Sequence, residues 1–121
     1  DVQRILSHPM AMVGSDGLPH DQHPHPRLWG TFPRVLGHYA RDLGLFSLEE
    51  GVRRMTSLTA AQFGLIDRGI VRESAFADLV IFDPDTIAEA ATYENPTTPA
   101  LGIDLVIVNG VIVHRAGHST G

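Results

Sequence analysis

The chain has 121 residues, 43% hydrophobic and 19% charged, a globular composition long enough to bury a core and far from disordered or fibrous extremes. Its formal charge of −5 argues against nucleic acid as a partner, and without cysteine it forms neither disulfides nor thiolate metal sites. No apolar run reaches the roughly 20 residues of a membrane helix and no signal peptide opens the chain, so it reads as a soluble, cytoplasmic protein with no membrane partner.

In chain order, residues 1–7 read as the end of a helix stopped at Ser7-His8-Pro9, because proline disfavours helix in the residue before it. The apolar run 10–14 predicts a strand buried on both faces, as in a parallel sheet, ending at Ser15-Asp16-Gly17. Residues 17–33 carry four of the eight prolines and three of the seven histidines, which predicts a long irregular loop. A helix is expected from Pro33 or Arg34 to Asp42, closed by Gly44. A second is expected from Ser47, whose spacing to Glu50 fits a capping box, with Leu48, Val52, Met55 and Leu58 on one stripe and an end near Phe63-Gly64.

The remainder is β in character. Residues 77–83 read as a strand, 84–100 as a connection with a short helical turn near 87–91, and 105–113 as a hairpin turning on Asn109-Gly110. Both chain ends read as cut.

Asp16 is the first candidate for chemistry. A carboxylate just past a buried strand sits where α/β barrels place catalytic groups, and a rigidly held position suits a general base. From local sequence alone the blander reading is favoured, that Asp16 merely caps or turns the loop, as Ser-Asp-Gly often does. The stretch His20-Asp21-Gln22-His23-Pro24-His25-Pro26-Arg27 has the His-x-His spacing of metal sites, but the prolines and the missing apolar strand favour a fixed extended loop over a zinc site. Arg27 could grip a carboxylate through two parallel hydrogen bonds, or lie on the surface. Trp29, Phe32 and Tyr39 suit packing better than a pocket, His38 reads as a structural or surface residue of a helix, and His114 and His118 as solvated. No phosphate-binding glycine loop or nucleophile elbow is present.

Several segments together resemble the D-aminoacylase family of N-acyl-D-amino-acid deacylases, in the amidohydrolase superfamily. They are Val13-Gly14-Ser15-Asp16-Gly17-Leu18-Pro19-His20-Asp21, the run from His23-Pro24-His25-Pro26-Arg27 to Gly37-His38-Tyr39, Met55-Thr56-Ser57-Leu58-Thr59-Ala60, Phe63-Gly64-Leu65, Phe76-Ala77-Asp78-Leu79-Val80, Phe82-Asp83-Pro84 and Val108-Asn109-Gly110.

The resemblance implies an α/β fragment. Residues 1–66 would be the closing strand, active-site loop and helices of a (β/α)₈ metal-dependent hydrolase barrel, and 67–121 the C-terminal strands of a small β-sandwich. It implies Asp16 as the base that takes a proton from a metal-bound water and passes it to the departing amine. Arg27 would hold the α-carboxylate of an N-acyl-D-amino acid, with His20 near the site. Zinc would be bound by histidines and a cysteine upstream, none of them in this chain, with Asp16 a possible further ligand. The partners are then the substrate and the rest of the parent polypeptide. Alone the chain is expected to be inactive, and its unpaired strand edges open it to self-association. The competing readings are a non-catalytic α+β assembly module, a region of a dihydroorotase- or hydantoinase-like amidohydrolase, and a His-rich metal carrier.

Overall fold

A computed structural model describes residues 1–120. Helices occupy the first half: α1 (Val2–Leu6), α2 (Arg27–Arg34), a π-helical segment (Val35–Asp42) that continues α2, α3 (Leu48–Met55) and α4 (Ser57–Gln62). The second half is an antiparallel sheet of β1 (Leu79–Phe82), β2 (Ile103–Val108), β3 (Val111–Arg115) and β4 (His118–Ser119), in the order β1-β2-β3-β4.

The hairpin forms as the sequence dictates. Asn109 (φ 50°) and Gly110 (φ 80°) both take the positive angles a two-residue primed turn needs. Its tip is tied down where the Asn109 N–H donates to Asp78 Oδ1 at 2.8 Å and Arg68 Nη2 donates to Asn109 Oδ1 at 2.8 Å. The Asn109 backbone N–H first, and the Arg68 guanidinium, whose Nη1 pairs with Asp78 Oδ2, second, hold the Asp78 carboxyl below its ordinary range. His114 and His118 are strand residues of β3 and β4 and not a tail beyond the hairpin, because Ala116 and Gly117 at positive φ turn the chain back.

The Ser47 cap is formed, its Oγ accepting from the Glu50 N–H at 3.2 Å. The reciprocal half of the capping box is not. Glu50 turns to Arg53 (2.7 Å) and Arg54 (2.8 Å), which draw its carboxyl down to about 2, Arg53 first. The single helix expected to run from Ser47 towards Gly64 is broken at Thr56 (φ −130°, ψ −95°). There Thr56 Oγ1 bonds the Val52 carbonyl and Thr59 Oγ1 the Arg54 carbonyl, hydroxyls that compete with the helical ladder.

Three further expectations are corrected. Residues 10–14 form no strand: residues 11–18 carry no regular secondary structure, alternate half-buried and exposed, and pair with no strand among the described residues. A strand exists only where a neighbour accepts its backbone bonds, and that neighbour is absent here. The irregular loop ends at Arg27, six residues before Pro33, since Pro26 starts a helix with its fixed φ (−52°). Pro33 lies inside α2, and the turn after its missing N–H widens into the π segment, which closes at Gly44 (φ 58°) as expected. Lastly, 87–91 is not helical, because Ala88 bridges Leu101 as an isolated β pair.

The core is small: Val35, Leu36 and Ala40 of the π segment, Ala60 of α4 and Ile87, which is 2% exposed. Gly102 (φ 74°) permits that burial, since a Cβ there would lie 2.6 Å from the Ile87 nitrogen. Arg41 Nη1 donates to the Ile87 carbonyl at 2.8 Å, locking the π segment to the connection before β2.

Candidate functional site

The irregular run 11–18 delivers Asp16 to the start of α2. Gly17 packs directly on Leu28, so close that a Cβ would meet the Leu28 Cα at 2.9 Å. This close approach brings two of the candidate residues together: Arg27 Nη2 and Asp16 Oδ2 form an ion pair at 2.9 Å. The Asp16 side chain is 79% exposed and that of Arg27 40%. Asp16 adopts a positive φ (49°), a left-handed conformation costly for a residue with a Cβ and concentrated at functional positions. Arg27 Nε is covered and makes no hydrogen bond, a donor left with nothing to satisfy it.

His20, the third candidate, is exposed in a turn and is not brought to the pair by any hydrogen bond or ion pair among the described residues. His23 and His25 face a residue that sequence reasoning missed. His23 Nε2 donates to the Tyr93 carbonyl at 2.9 Å, and His25 Nε2 lies 3.0 Å from the Tyr93 hydroxyl with the rings edge to face. The opposite nitrogen, His25 Nδ1, accepts from the Arg27 N–H at 3.0 Å. Tyr93 was the sole aromatic in a connection otherwise rich in Pro, Thr and Ala, and that isolation was its one signal.

The N-terminal segment is held by a second missed cluster. Arg54, 3% exposed, donates to Glu50 and to the Leu6 carbonyl and stacks over Phe46 at 4.6 Å, while Arg53 Nη2 donates to the Pro9 carbonyl at 2.9 Å. The two arginines thus fix the chain just ahead of the run that carries Asp16.

Among the described residues no three His, Cys, Asp or Glu side chains converge as metal ligands. An apolar cleft of about 560 Å³ opens between the helices and the sheet, with Phe32, Leu36, Met55, Val71 and Val80 in its walls. Phe32 therefore lines a cleft, one whose walls include neither Asp16 nor Arg27, and Trp29 stands 44% exposed. Half-buried His38 and Tyr39 meet edge to face in the π segment, and the Arg34 guanidinium lies 5.5 Å from the Tyr39 ring centre.

Comparison with known proteins gives this geometry a context. The chain is 64% identical over its whole length to a D-aminoacylase of Alcaligenes xylosoxydans xylosoxydans. It superposes on the crystal structure of a D-aminoacylase with a TM-score of 0.97 at 62% identity, covering 99% of this chain. It also superposes on the N-acyl-D-glutamate deacylase of Bordetella bronchiseptica, in complex with zinc and a phosphonate mimic of the tetrahedral intermediate, with a TM-score of 0.93 at 53% identity over 97% of this chain. In each case the chain spans about a quarter (25%) of the relative's length. Residues 1–114 match the amidohydrolase family, and with that match this chain belongs to the amidohydrolase family.

Proposed function

We propose that this chain is the C-terminal portion of a zinc-dependent hydrolase that cleaves N-acyl-D-amino acids to a carboxylate and a free D-amino acid. In this reading residues 1–66 close a (β/α)₈ barrel and 67–121 supply strands of an accessory β-sandwich. The observation that carries it is the Asp16–Arg27 pair: an acid in a strained backbone conformation 2.9 Å from an arginine with an unsatisfied donor. The likeness to a D-aminoacylase across the whole chain supports reading the pair as part of an amide-hydrolysing site.

Amide hydrolysis needs a group that accepts a proton from the attacking water and returns it to the departing nitrogen, since an amide anion is too basic to leave. Asp16 carries out both transfers: its carboxylate takes the water proton as the C–O bond forms, and hands it to the nitrogen as the C–N bond breaks. Arg27 grips the α-carboxylate of the substrate in a two-pronged hydrogen bond and so fixes the scissile carbonyl relative to Asp16. The metal of the parent enzyme is held by residues outside this chain, with Asp16 the one group here that could join them.

The exposed surface supports a missing remainder. The chain presents 8103 Å² to solvent, about 1,700 Å² more than the roughly 6,400 Å² of a compact monomer of its mass. Large apolar side chains such as Ile66 (79%), Val71 (85%) and Phe63 (71%) stand in that excess.

In the full-length polypeptide Asp16→Asn should lower kcat by about a thousandfold with metal content largely intact. Near-normal turnover would remove Asp16 from the mechanism. Arg27→Ala should mainly raise KM for substrates with a free α-carboxylate. The isolated chain should show no turnover of N-acetyl-D-amino acids, and activity from it would overturn the need for the remainder.

A further inference from the structure

Arg27 is the first residue of α2, and its N–H is one of the four that a helix leaves without an internal partner. Pro26, at the cap position, offers no side-chain acceptor. His25 supplies it instead: Nδ1 accepts the Arg27 N–H at 3.0 Å. A neutral imidazole that accepts at Nδ1 carries its proton on Nε2, so Nε2 donates to the Tyr93 hydroxyl oxygen 3.0 Å away. Tyr93 also accepts from His23 Nε2 through its carbonyl at 2.9 Å, so one residue, 66 positions beyond Arg27, anchors both histidines. From α2 itself the first turn is held only by backbone bonds and by Thr31 Oγ1 on the Arg27 carbonyl.

We propose that Tyr93 and His25 are positioning residues for Arg27, a relay of two hydrogen bonds that sets the direction in which its guanidinium leaves the helix and so its reach to the substrate carboxylate. The proposal rests on the reading of Arg27 given above. Neither side chain touches substrate. Tyr93 orients the imidazole, the imidazole holds the first N–H of α2, and the helix start aims Arg27. Geometry at such a site matters because a charge-assisted, two-pronged bond loses most of its worth when its fork is misaligned.

The test is a double-mutant cycle in the full-length enzyme, with kcat and KM measured on N-acetyl-D-amino acids. Tyr93→Phe removes the acceptor oxygen and keeps the ring. It should raise KM on the order of fivefold with kcat within about twofold, the scale of one lost hydrogen bond acting through orientation. In the Arg27→Ala background the same change should leave kcat/KM unaltered, because the residue it positions is gone. His25→Asn, whose Oδ1 can still accept the Arg27 N–H, should keep more affinity than His25→Ala. An unchanged KM in Tyr93→Phe overturns the relay, as does an equal effect in both backgrounds, which would make Tyr93 a general support of the loop. If Arg27→Ala itself leaves KM unchanged, the carboxylate-binding reading of Arg27 fails first and the relay with it. A raised KM in Arg27→Ala beside a silent Tyr93→Phe removes the relay alone.

Discussion

Replacing Arg54 by alanine should loosen the segment that leads to Asp16, and the size of the effect can be worked from its contacts. The guanidinium is 3% exposed, donates to Glu50 Oε1 at 2.8 Å and to the Leu6 carbonyl, and lies 4.6 Å over the Phe46 ring. Breaking a buried ion pair costs ~3–5 kcal/mol when the surviving charge is stranded. Glu50 would not be stranded, since it keeps Arg53 at 2.7 and 2.9 Å and its side chain is 26% exposed. The lost bond to a carbonyl and the lost ring contact restore part of that difference, which sets the expectation at ~3 kcal/mol. Arg53→Ala provides the comparison: its side chain is 40% exposed, and a pair so open to water contributes far less than a buried one. Native-state hydrogen exchange of the full-length polypeptide reads both, at the amides of Ser7, His8 and Ala11, which bond within the pinned segment. Arg54→Ala should speed their exchange far more than Arg53→Ala. Equal effects would refute the claim that burial of Arg54, and not its charge alone, holds the N-terminal segment in place.

Gly102→Ala should destabilise the connection to β2 by ~2–4 kcal/mol, combining a left-handed backbone with a clash into buried Ile87. Gly110→Ala, equally left-handed but with nothing within 4 Å, should cost only ~1 kcal/mol, and thermal unfolding of the two variants separates the contributions. Acid should weaken the α3 start. The Glu50 carboxyl falls from 4.5 to about 2 on folding, so its stabilisation is complete above 4.5 and is lost as pH drops towards 2. The Tm difference between the native protein and Glu50→Gln should therefore be largest above pH 4.5 and close below it; a constant difference would exclude the carboxylate as the cause.

Local rules carried the hairpin, the Ser47 cap and the Gly44 stop, because each depends on a few adjacent residues whose dihedral preferences suffice. They failed where an element needs a distant partner. The run 10–14 has strand composition, yet without a neighbouring ladder it takes no regular structure. Pro33 looked like a boundary, yet α2 absorbs it by widening into the π segment that packs Val35, Leu36 and Ala40 around Ile87. The glycine-and-proline punctuation of the sequence says where a chain bends, and not what it then packs against.

The same division holds for the site. Local sequence made Asp16 and Arg27 candidates while leaving a turn cap and a surface arginine as alternatives, and the family resemblance singled them out. That they meet at 2.9 Å was decided by Gly17 lying against Leu28, and that the far side of the His25 ring meets a hydroxyl was decided by Tyr93 arriving from far along the chain. Residue type sets what chemistry a side chain can perform; the distances that couple one side chain to another arise only when segments remote in sequence pack together, and no local preference encodes them.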